Sequence, residues 1–398
     1  MKITVPFSGR GVDYTEEEIS VAVEAMRSAN PLTQGRYQQA FEDKFRNFNG
    51  ARHAFALSNG TCALELAAQL CLLKNGDEVV VPAHTFTSSA YPFLKKGAKL
   101  VWADIDPRTR VVTADTLRKV LTRRTRVIVV VHLYGYVADM PAIMTLARER
   151  GILVVEDACQ AIGADLDGIR AGNFADFGIF SFHSHKNLTT LGEGGMLTLA
   201  DDGLAALVPM LRHNGHCPFS FEREDYWIPA MGNVDLPEWQ GERLWPSNFC
   251  LGEVECAVGA LQLDRVDSIN AQKRRRAIAF IDALRDYPEL VFHREDSSRH
   301  NYHLLAARME GGAERRDDFI RSMLKDYGVR CVVQYYPLYR YPLYQKSGLG
   351  RADCPATDHF YDHMVSFPFQ HNLTDEEFRH MLAAATRVLE EQRKRFRQ

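Results

Sequence analysis

The sequence of 398 residues lacks several features that would each define a class of protein. It has no CxxC pair among its eight cysteines, no run of eighteen apolar residues, no internal repeat and no low-complexity tract. Its first six residues, Met-Lys-Ile-Thr-Val-Pro, lack the apolar core of a secretory signal. These absences predict a soluble cytoplasmic protein with reduced thiols, no bound metal and no membrane span.

An excess of charge is also absent. The chain carries 48 Lys and Arg residues against 51 Asp and Glu residues, a net charge of −3. The chain has no excess of positive charge with which to bind nucleic acid. An anionic ligand would therefore need a local site, and the expected partners are small molecules. The chain is too long for one ordinary hydrophobic core, which predicts two domains.

Apolar runs alternate with helical segments from residue 53 onward. Strands are predicted over 53–57, 78–82, 99–103, 126–132 and 152–155, with a further alternating strand that runs into Ser181. Helices are predicted over 61–73, 89–96 and around Leu117. This alternation predicts an α/β fold with a largely parallel sheet covered on both faces, and ligands at the carboxyl ends of its strands.

The pattern changes after residue 250. A long amphipathic helix is predicted from 251 through the basic run 273–276, which is interpreted as a solvated helix face. A mixed region follows, and then a last helix from 375 that Thr374 and Glu377 cap. We therefore expect an N-terminal arm over 1–30, a large domain over 31–250, and a small α/β domain with its linking helix over 251–398.

One lysine, Lys186, stands between a predicted strand and the glycine-rich turn 192–195. About thirty residues earlier, another predicted strand ends at Asp157, with Gln160 shortly after it. This is the pair that pyridoxal 5'-phosphate (PLP) requires, because the amine forms a Schiff base with its aldehyde and the carboxylate keeps its ring nitrogen protonated. The alternative interpretation is a surface lysine and a loop aspartate.

Four segments at predicted strand ends, 58–63, 82–86, 156–160 and 181–186, should meet at one edge of the sheet. Gly60 and Thr61 are candidates to hold a phosphate at a helix start, although such turns also simply begin helices.

Three further side chains belong to the same edge. Phe86 could stack on a planar ring or belong to the core. His183 and His185 flank Lys186, where they could lower its pKa, contact substrate or serve packing.

Taken together, the motifs resemble the DegT/DnrJ/EryC1/StrS family of PLP-dependent sugar aminotransferases, which have the aspartate aminotransferase fold (fold type I). The matching segments run nearly end to end: 32–36, 58–61, 82–86, 132–135, 156–160, 181–195, 259–263, 335–337 and 366–368. The resemblance implies a large PLP-binding domain with a mostly parallel seven-stranded sheet, a smaller C-terminal domain, and a homodimer whose sites are shared across the interface.

The resemblance also implies roles for individual residues. Lys186 would bind the PLP aldehyde, Asp157 would pair with the ring nitrogen, Gln160 would lie on the ring's hydroxyl side, and Phe86 would stack on the ring. The phosphate would be held by Gly60, Thr61 and Ser181, and by Asn248 from the second subunit.

Two positions depart from the family pattern. Cys250 stands where the family usually has an arginine, and Tyr339 stands where a histidine is frequent. The segment 216–245 also looks longer than the usual connection. These departures bear on recognition of the substrate more than on the cofactor chemistry.

The implied reaction is transamination of a keto-sugar, nucleotide-linked and with its keto group at C-4 or C-3, with glutamate or glutamine as donor. The segment 181–188 resembles C-4 enzymes somewhat more. The alternatives are an aminotransferase for an aminocyclitol precursor, a PLP-dependent sugar dehydratase and a non-catalytic PLP-binding regulator. Dehydratases of the family carry histidine in place of the lysine, which Lys186 argues against.

The segment 216–245 carries Trp227, Trp239 and Trp245. We expect these indoles, Trp239 in particular, to cover the acceptor site, and Tyr336 to contact substrate as well. The alternative is that the tryptophans pin a long loop to the subunit interface, where large aromatic side chains are common.

Overall fold

The computed structural model describes residues 2–219 and 232–395. The helices of these residues are α1 (Glu16–Ser28), α2 (Arg36–Asn49), α3 (Gly60–Leu70), α4 (Tyr91–Lys95), α5 (Ala114–Arg118), α6 (Met140–Arg148), α7 (Asp202–Arg212), α8 (Glu253–Gln262), α9 (Val266–Ala283), α10 (Ala313–Lys325), α11 (Pro342–Lys346), α12 (Pro355–His363) and α13 (Asp375–Arg395). None of the helices in this part of the chain combines the length and apolarity needed to cross a membrane.

The main sheet has seven strands, and the α/β prediction is confirmed. They are β1 (His53–Leu57), β2 (Glu78–Pro82), β3 (Lys99–Ala103), β4 (Thr125–Val131), β5 (Leu153–Asp157), β6 (Phe177–Ser181) and β7 (Gly195–Leu199). Their order is β1-β7-β6-β5-β4-β2-β3. All neighbours are parallel except β7, which runs antiparallel to both β1 and β6 and was not predicted as a strand.

Helices cover both faces of the sheet, so its central strands are buried on both sides. Strand β2 is buried throughout, and so are nearly all residues of β4. Such strands are continuous runs of apolar residues because neither face meets water. Their parallel direction brings Val131, Asp157 and Ser181 to the same edge of the sheet, where the four predicted segments meet.

A second, antiparallel sheet consists of β8 (Leu290–Phe292), β9 (Leu305–Met309) and β10 (Met364–Phe367), in that order. It contributes to a separate hydrophobic cluster with α9, α10 and α13. The N-terminal segment joins this cluster through Val5, which bridges to Val329. The predicted cap of α13 is confirmed, since Thr374 Oγ1 accepts from Glu377 N at 3.1 Å and Thr374 N donates to the Glu377 carboxylate at 2.8 Å. The domain boundaries stay a prediction.

The linking helix differs from its prediction in two respects. A 3-10 turn over Leu263–Arg265 divides it into α8 and α9. The basic run is also not a uniformly solvated face, because Lys273 is only 4% exposed. Its Nζ donates to the carbonyl oxygens of His303 at 3.0 Å and Phe369 at 2.8 Å, so the lysine ties α9 to the segments on either side of the second sheet. Burial lowers the pKa of Lys273 to about 7, and its two acceptors suit the two N–H bonds of a neutral amine.

We expect the buried lysine to make stability depend on pH. In the unfolded chain the pKa of a lysine is about 10.4, so between pH 7 and about 10 the unfolded state binds a proton that the folded state does not. Stability should therefore rise with pH in this window, by up to about 1.4 kcal/mol per pH unit from this residue. Urea unfolding of Lys273→Met at pH 7, 8 and 9 should show this slope removed. Lys74→Met, at a side chain that is 76% exposed, should keep it; equal slopes in both variants would contradict the assignment.

Candidate active site

A cavity of about 680 Å³ opens at the carboxyl ends of the parallel strands. The structure brings nine of the predicted site residues to its wall: Gly60, Thr61, Phe86, Asp157, Gln160, Ser181, His183, His185 and Lys186. Residues from the C-terminal part of the chain, including His303 and Tyr335, close its other side. The cavity is therefore lined both by residues at the edge of the main sheet and by residues of the C-terminal part of the chain.

Lys186 is held by a loop that is fixed from several directions. Its backbone N–H donates to the carbonyl oxygen of His183 at 2.8 Å, and Phe182 and Ser184 bond to the backbone of the glycine turn that follows. The N-terminal segment crosses this loop, where Gly11 N donates to Ser184 O at 2.7 Å. A Cβ at Gly11 would lie 2.3 Å from the carbonyl oxygen of Lys186, so only glycine allows this crossing.

Desolvation favours the neutral form of the Lys186 amine. Burial lowers its pKa below the usual value, although Cys159 and Asp157 favour the charged form. A lysine must lose its proton to act as a nucleophile or a base. Desolvation in this cavity thus favours the neutral amine that a nucleophile or a base requires.

Asp157 is only 5% exposed and faces the cavity. Its carboxylate accepts from Ser89 Oγ at 2.6 Å and from Cys159 N at 3.2 Å. The preceding residue, Glu156, points to the other side of the strand, where its carboxylate lies 2.9 Å from His132 Nε2 and accepts from three backbone N–H groups. The alternation of side chains along β5 therefore leaves one of two adjacent carboxylates for the site.

The first turn of α3, where an anion cradle is predicted, lies at the wall of the cavity. Asn59 caps the helix by accepting from Cys62 N at 2.9 Å, and Thr61 Oγ1 lies 2.9 Å from Ser88 Oγ. The helix start is pressed against β7, because a Cβ at Gly195 would lie 2.4 to 2.7 Å from backbone atoms of Asn59 and Gly60. A helix N-terminus with free N–H groups beside two hydroxyls suits a phosphate.

A planar amide and two aromatic rings define another wall. Gln160 Oε1 accepts from Tyr134 N at 2.8 Å and its Nε2 donates to the Tyr335 hydroxyl at 3.3 Å, which fixes the amide. Phe86 lies edge-on to Tyr335 with ring centroids 6.2 Å apart. It is 53% exposed, so the core interpretation of Phe86 does not fit its position.

Histidines lie at the mouth and at the base of the cavity. The rings of His183 and His185 are stacked at 5.1 Å, and His183 Nε2 lies 3.8 Å from the Glu193 carboxylate. The pKa of His185 is lowered by burial and by the nearby His183 and Lys186. His303 is buried, and burial together with Lys186 and Lys273 keeps its pKa well below the usual value.

The sequence patterns did not single out Ser88, Tyr335 and His303, which line the cavity, or Ser89, which donates to Asp157. The two serines follow Phe86 in a short 3-10 turn, of which only Ser89 fell within a predicted helix, 89–96. Tyr335 was missed by one position, since Tyr336 packs instead against the rings of Tyr341 and Tyr361, away from the cavity. Successive side chains of an extended segment point in opposite directions, and the Tyr-Tyr pair carries no signal of which one faces inward.

The described residues of the segment 216–245, which are 216–219 and 232–245, do not line the cavity at Lys186. Trp239 packs against Gly203 at the start of α7 and lines a groove at the opposite edge of the sheet. Trp245 is exposed, and Trp227 lies outside the described residues. Asn248 is also exposed and does not line the cavity of its own chain. The predicted cover of the acceptor site by Trp239 is therefore not formed by a single chain.

A parallel-stranded sheet with a desolvated lysine, a buried aspartate and an anion cradle at its carboxyl edge defines a PLP-dependent aminotransferase of fold type I. Comparison with known proteins agrees: the chain belongs to the DegT/DnrJ/EryC1/StrS aminotransferase family, which matches residues 13–386. GDP-perosamine synthase from Caulobacter vibrioides is 34% identical over 358 residues, 89% of this chain and 91% of that protein.

Two further proteins extend the comparison. The L-glutamine:2-deoxy-scyllo-inosose aminotransferase from Streptomyces kanamyceticus is 36% identical over 276 residues, 68% of this chain and 62% of that protein. The solved structure of an aminotransferase from Psychrobacter cryohalolentis has a TM-score of 0.85 at 28% identity and covers 97% of this chain and 99% of its own.

The cavity fits PLP, the cofactor of this family. The helix start at Gly60 and the hydroxyls of Thr61 and Ser88 suit its phosphate, and Asp157 suits its ring nitrogen. When bound, PLP supplies an electron sink for cleavage of a bond at the amine-bearing carbon of the substrate.

We expect the close approach of Gly195 to α3 to control cofactor affinity. In Gly195→Ala the new Cβ must displace the backbone of Asn59 and Gly60, and so the N–H groups of the cradle. PLP affinity should fall by about tenfold or more, equivalent to about 1.4 kcal/mol, in a titration followed by absorbance. Gly9→Ala, where a Cβ meets nothing within 4 Å, is the control. Unchanged affinity in a folded Gly195→Ala protein would show that the cradle lies elsewhere.

Proposed function

We propose that the protein transfers an amino group from glutamate or glutamine to the keto group of a nucleotide-linked sugar, in the biosynthesis of an amino sugar. The observation that carries this proposal is the desolvated amine of Lys186 in the same cavity as the buried Asp157. The similarity to GDP-perosamine synthase over 89% of the chain supports a sugar nucleotide as acceptor.

Each residue of the site has a part in this proposal. Lys186 Nζ would hold the cofactor and, whenever it is a free neutral amine, would move the proton at the substrate carbon. Asp157, held by the hydroxyl of Ser89, would pair with the ring nitrogen and favour its protonated form. Gln160 is fixed on the cavity wall by Tyr134 and Tyr335, and Phe86 offers an exposed ring for stacking.

The mouth of the cavity supports a polar acceptor. His183, His185 and Glu193 present donors and an acceptor at one wall, as the hydroxyls of a sugar require. The segment 181–188 favours a C-4 keto group over C-3. The similarity to a 2-deoxy-scyllo-inosose aminotransferase makes a keto-cyclitol the second candidate acceptor.

A sugar dehydratase and a non-catalytic regulator are less well supported. The residue whose replacement by histidine marks the dehydratases of the family is a lysine here, Lys186. Lys186 and Asp157 line the same cavity, an arrangement that a non-catalytic regulator would not need.

The two half-reactions can be tested separately. Addition of glutamate or glutamine alone should convert the cofactor of the PLP-loaded enzyme from its aldehyde to its amine form, as followed by absorbance. Addition of a 4-keto sugar linked to GDP or UDP should then restore the aldehyde form, and 3-keto nucleotide sugars and 2-deoxy-scyllo-inosose should do so more slowly. Lys186→Arg, which keeps size and charge but cannot form the covalent link, is the control and should show neither conversion.

The outcomes separate the candidates. Recovery with the cyclitol but with no nucleotide sugar would transfer the assignment to the second candidate. A PLP-loaded protein that neither donor converts would contradict the proposed function.

We also propose that the enzyme is a cytoplasmic homodimer in which Asn248 reaches the phosphate site of the partner. Asn248 is exposed and outside its own cavity, as a residue that serves another site must be. All eight cysteines are unpaired, which suits a reducing compartment. Lys186→Ala and Asn248→Ala proteins, each inactive alone, should regain activity when mixed, because hybrid dimers contain one intact site. A fully active monomer in sedimentation experiments would contradict the shared site.

A further inference from the structure

Arg110 is a buried cation outside the active site for which the described residues supply no carboxylate partner. It is 4% exposed and follows β3 in a loop. Its Nη2 donates to the carbonyl oxygen of Val291 at 3.0 Å, and its guanidinium lies 4.9 Å from the ring centroid of Phe360. The nearest acid in sequence, Asp106, is already the acceptor for three donors of residues 108 and 109. The Nε–H of Arg110 has no hydrogen-bond acceptor in the described part of the chain.

A small internal cavity lies against this guanidinium. It has a volume of about 10 Å³ and is lined by Arg110, Tyr136, His293, His300 and Tyr302 among others. A volume of this order admits a single guest of about the size of a water molecule. Phosphate, sulfate and carboxylates are too large for it.

The other titratable groups of the cavity do not neutralise the arginine. Burial lowers the pKa of His293 to about 4 and that of His300 well below the usual value, and it raises the pKa of Tyr302 to about 12. Burial therefore favours the neutral form of all three side chains. Burial lowers the pKa of Arg110 itself to about 10, and the positive potential of Arg308 contributes to this decrease.

The polar atoms around the cavity are mostly satisfied elsewhere. His300 Nδ1 accepts from Tyr302 N at 3.1 Å, and the Tyr302 hydroxyl donates to Glu295 O at 2.8 Å. What is left is a donor, the Nε–H of Arg110, and a positive charge on which the Asp106 carboxylate has only a minor influence. A water molecule would satisfy the donor only, whereas a monatomic anion satisfies the donor and the charge together.

The backbone conformation of Arg110 also supports a ligand site at this position. Its φ of 65° lies in the left-handed region, which is disfavoured for a residue with a side chain. Such a conformation persists where the surrounding contacts determine it, as they do at ligand clamps.

We propose that this cavity binds one monatomic anion, chloride under cellular conditions, on the Nε–H of Arg110. The anion fixes Arg110 between the loop after β3, the strand β8 through Val291, and the helix α12 through Phe360. These elements come from both parts of the chain. The bound anion therefore stabilises the contact between the two parts through Arg110.

The test uses the PLP-loaded protein and bromide as the probe. Crystals grown in sodium bromide should give an anomalous peak in the cavity beside Arg110 Nε at the bromine absorption edge. In solution, replacing gluconate by chloride or bromide at constant ionic strength should raise Tm by about 2–5 °C, with saturation.

Two variants separate a specific site from a general salt effect. Arg110→Met should lose the halide-dependent rise in Tm. Arg299→Met is the matched control, because Arg299 also donates to a backbone oxygen, Val137 O at 2.8 Å, and also lies over an aromatic ring, that of Tyr136, yet does not line the cavity. It should keep the rise.

Density for water alone in the cavity, without an anomalous peak, would overturn the proposal. An equal loss of the halide effect in both variants would do the same. The crystallographic arm uses the unmodified protein, so it decides the question even where Arg110→Met does not fold.

Discussion

The site depends on the burial of one amine beside one carboxylate. Asp157 ends β5, and Lys186 lies in the loop that follows the neighbouring parallel strand β6, so the direction of the sheet brings both to the same edge. Desolvation favours the neutral amine, while the charge of Asp157 acts in the opposite direction on the same group. Desolvation thus favours the form of the amine that nucleophilic attack needs, and the carboxylate lies in the same cavity for the ring nitrogen of the cofactor.

Other parts of the fold hold Lys186 and Asp157 in place and form the walls of the cavity around them. Gly11 lets the N-terminal segment cross the lysine loop, and Gly195 lets the start of α3 lie against β7. Buried His303 and half-buried Tyr335 bring the C-terminal part of the chain to the cavity wall. Lys273, behind His303, binds the linking helix to the same segment through backbone oxygens. His303 lines the cofactor cavity and its carbonyl oxygen accepts from Lys273, so the same segment connects the cavity to the second sheet.

Much of the fold could be predicted because buried parallel strands are apolar runs that end abruptly. Three strands, β1, β2 and β3, have the predicted bounds, and β4 and β5 differ by one or two residues. Strand β7 was missed, since its Gly-Met-Leu-Thr-Leu sequence follows a glycine-rich turn and lies close to the motif that dominates this region. The site residues at strand ends were found because their position follows from topology.

What could not be predicted depends on side-chain direction and on tertiary burial. The choice between Tyr335 and Tyr336 is set by which face of an extended segment meets the cavity. The burial of Lys273 is set by the segments that pack over α9, and a run of four basic residues does not reveal it. Trp239 lies at the far edge of the sheet because Gly203 leaves room for its ring.

The central claim is that Lys186 is the amine that carries the cofactor. Its most direct test is reduction of the PLP-loaded protein with borohydride, followed by proteolysis and mass spectrometry of the labelled peptide. The account predicts a single pyridoxyl label on Lys186 and its absence from Lys186→Ala. A label of equal yield on another lysine, or one that persists in Lys186→Ala, would contradict it.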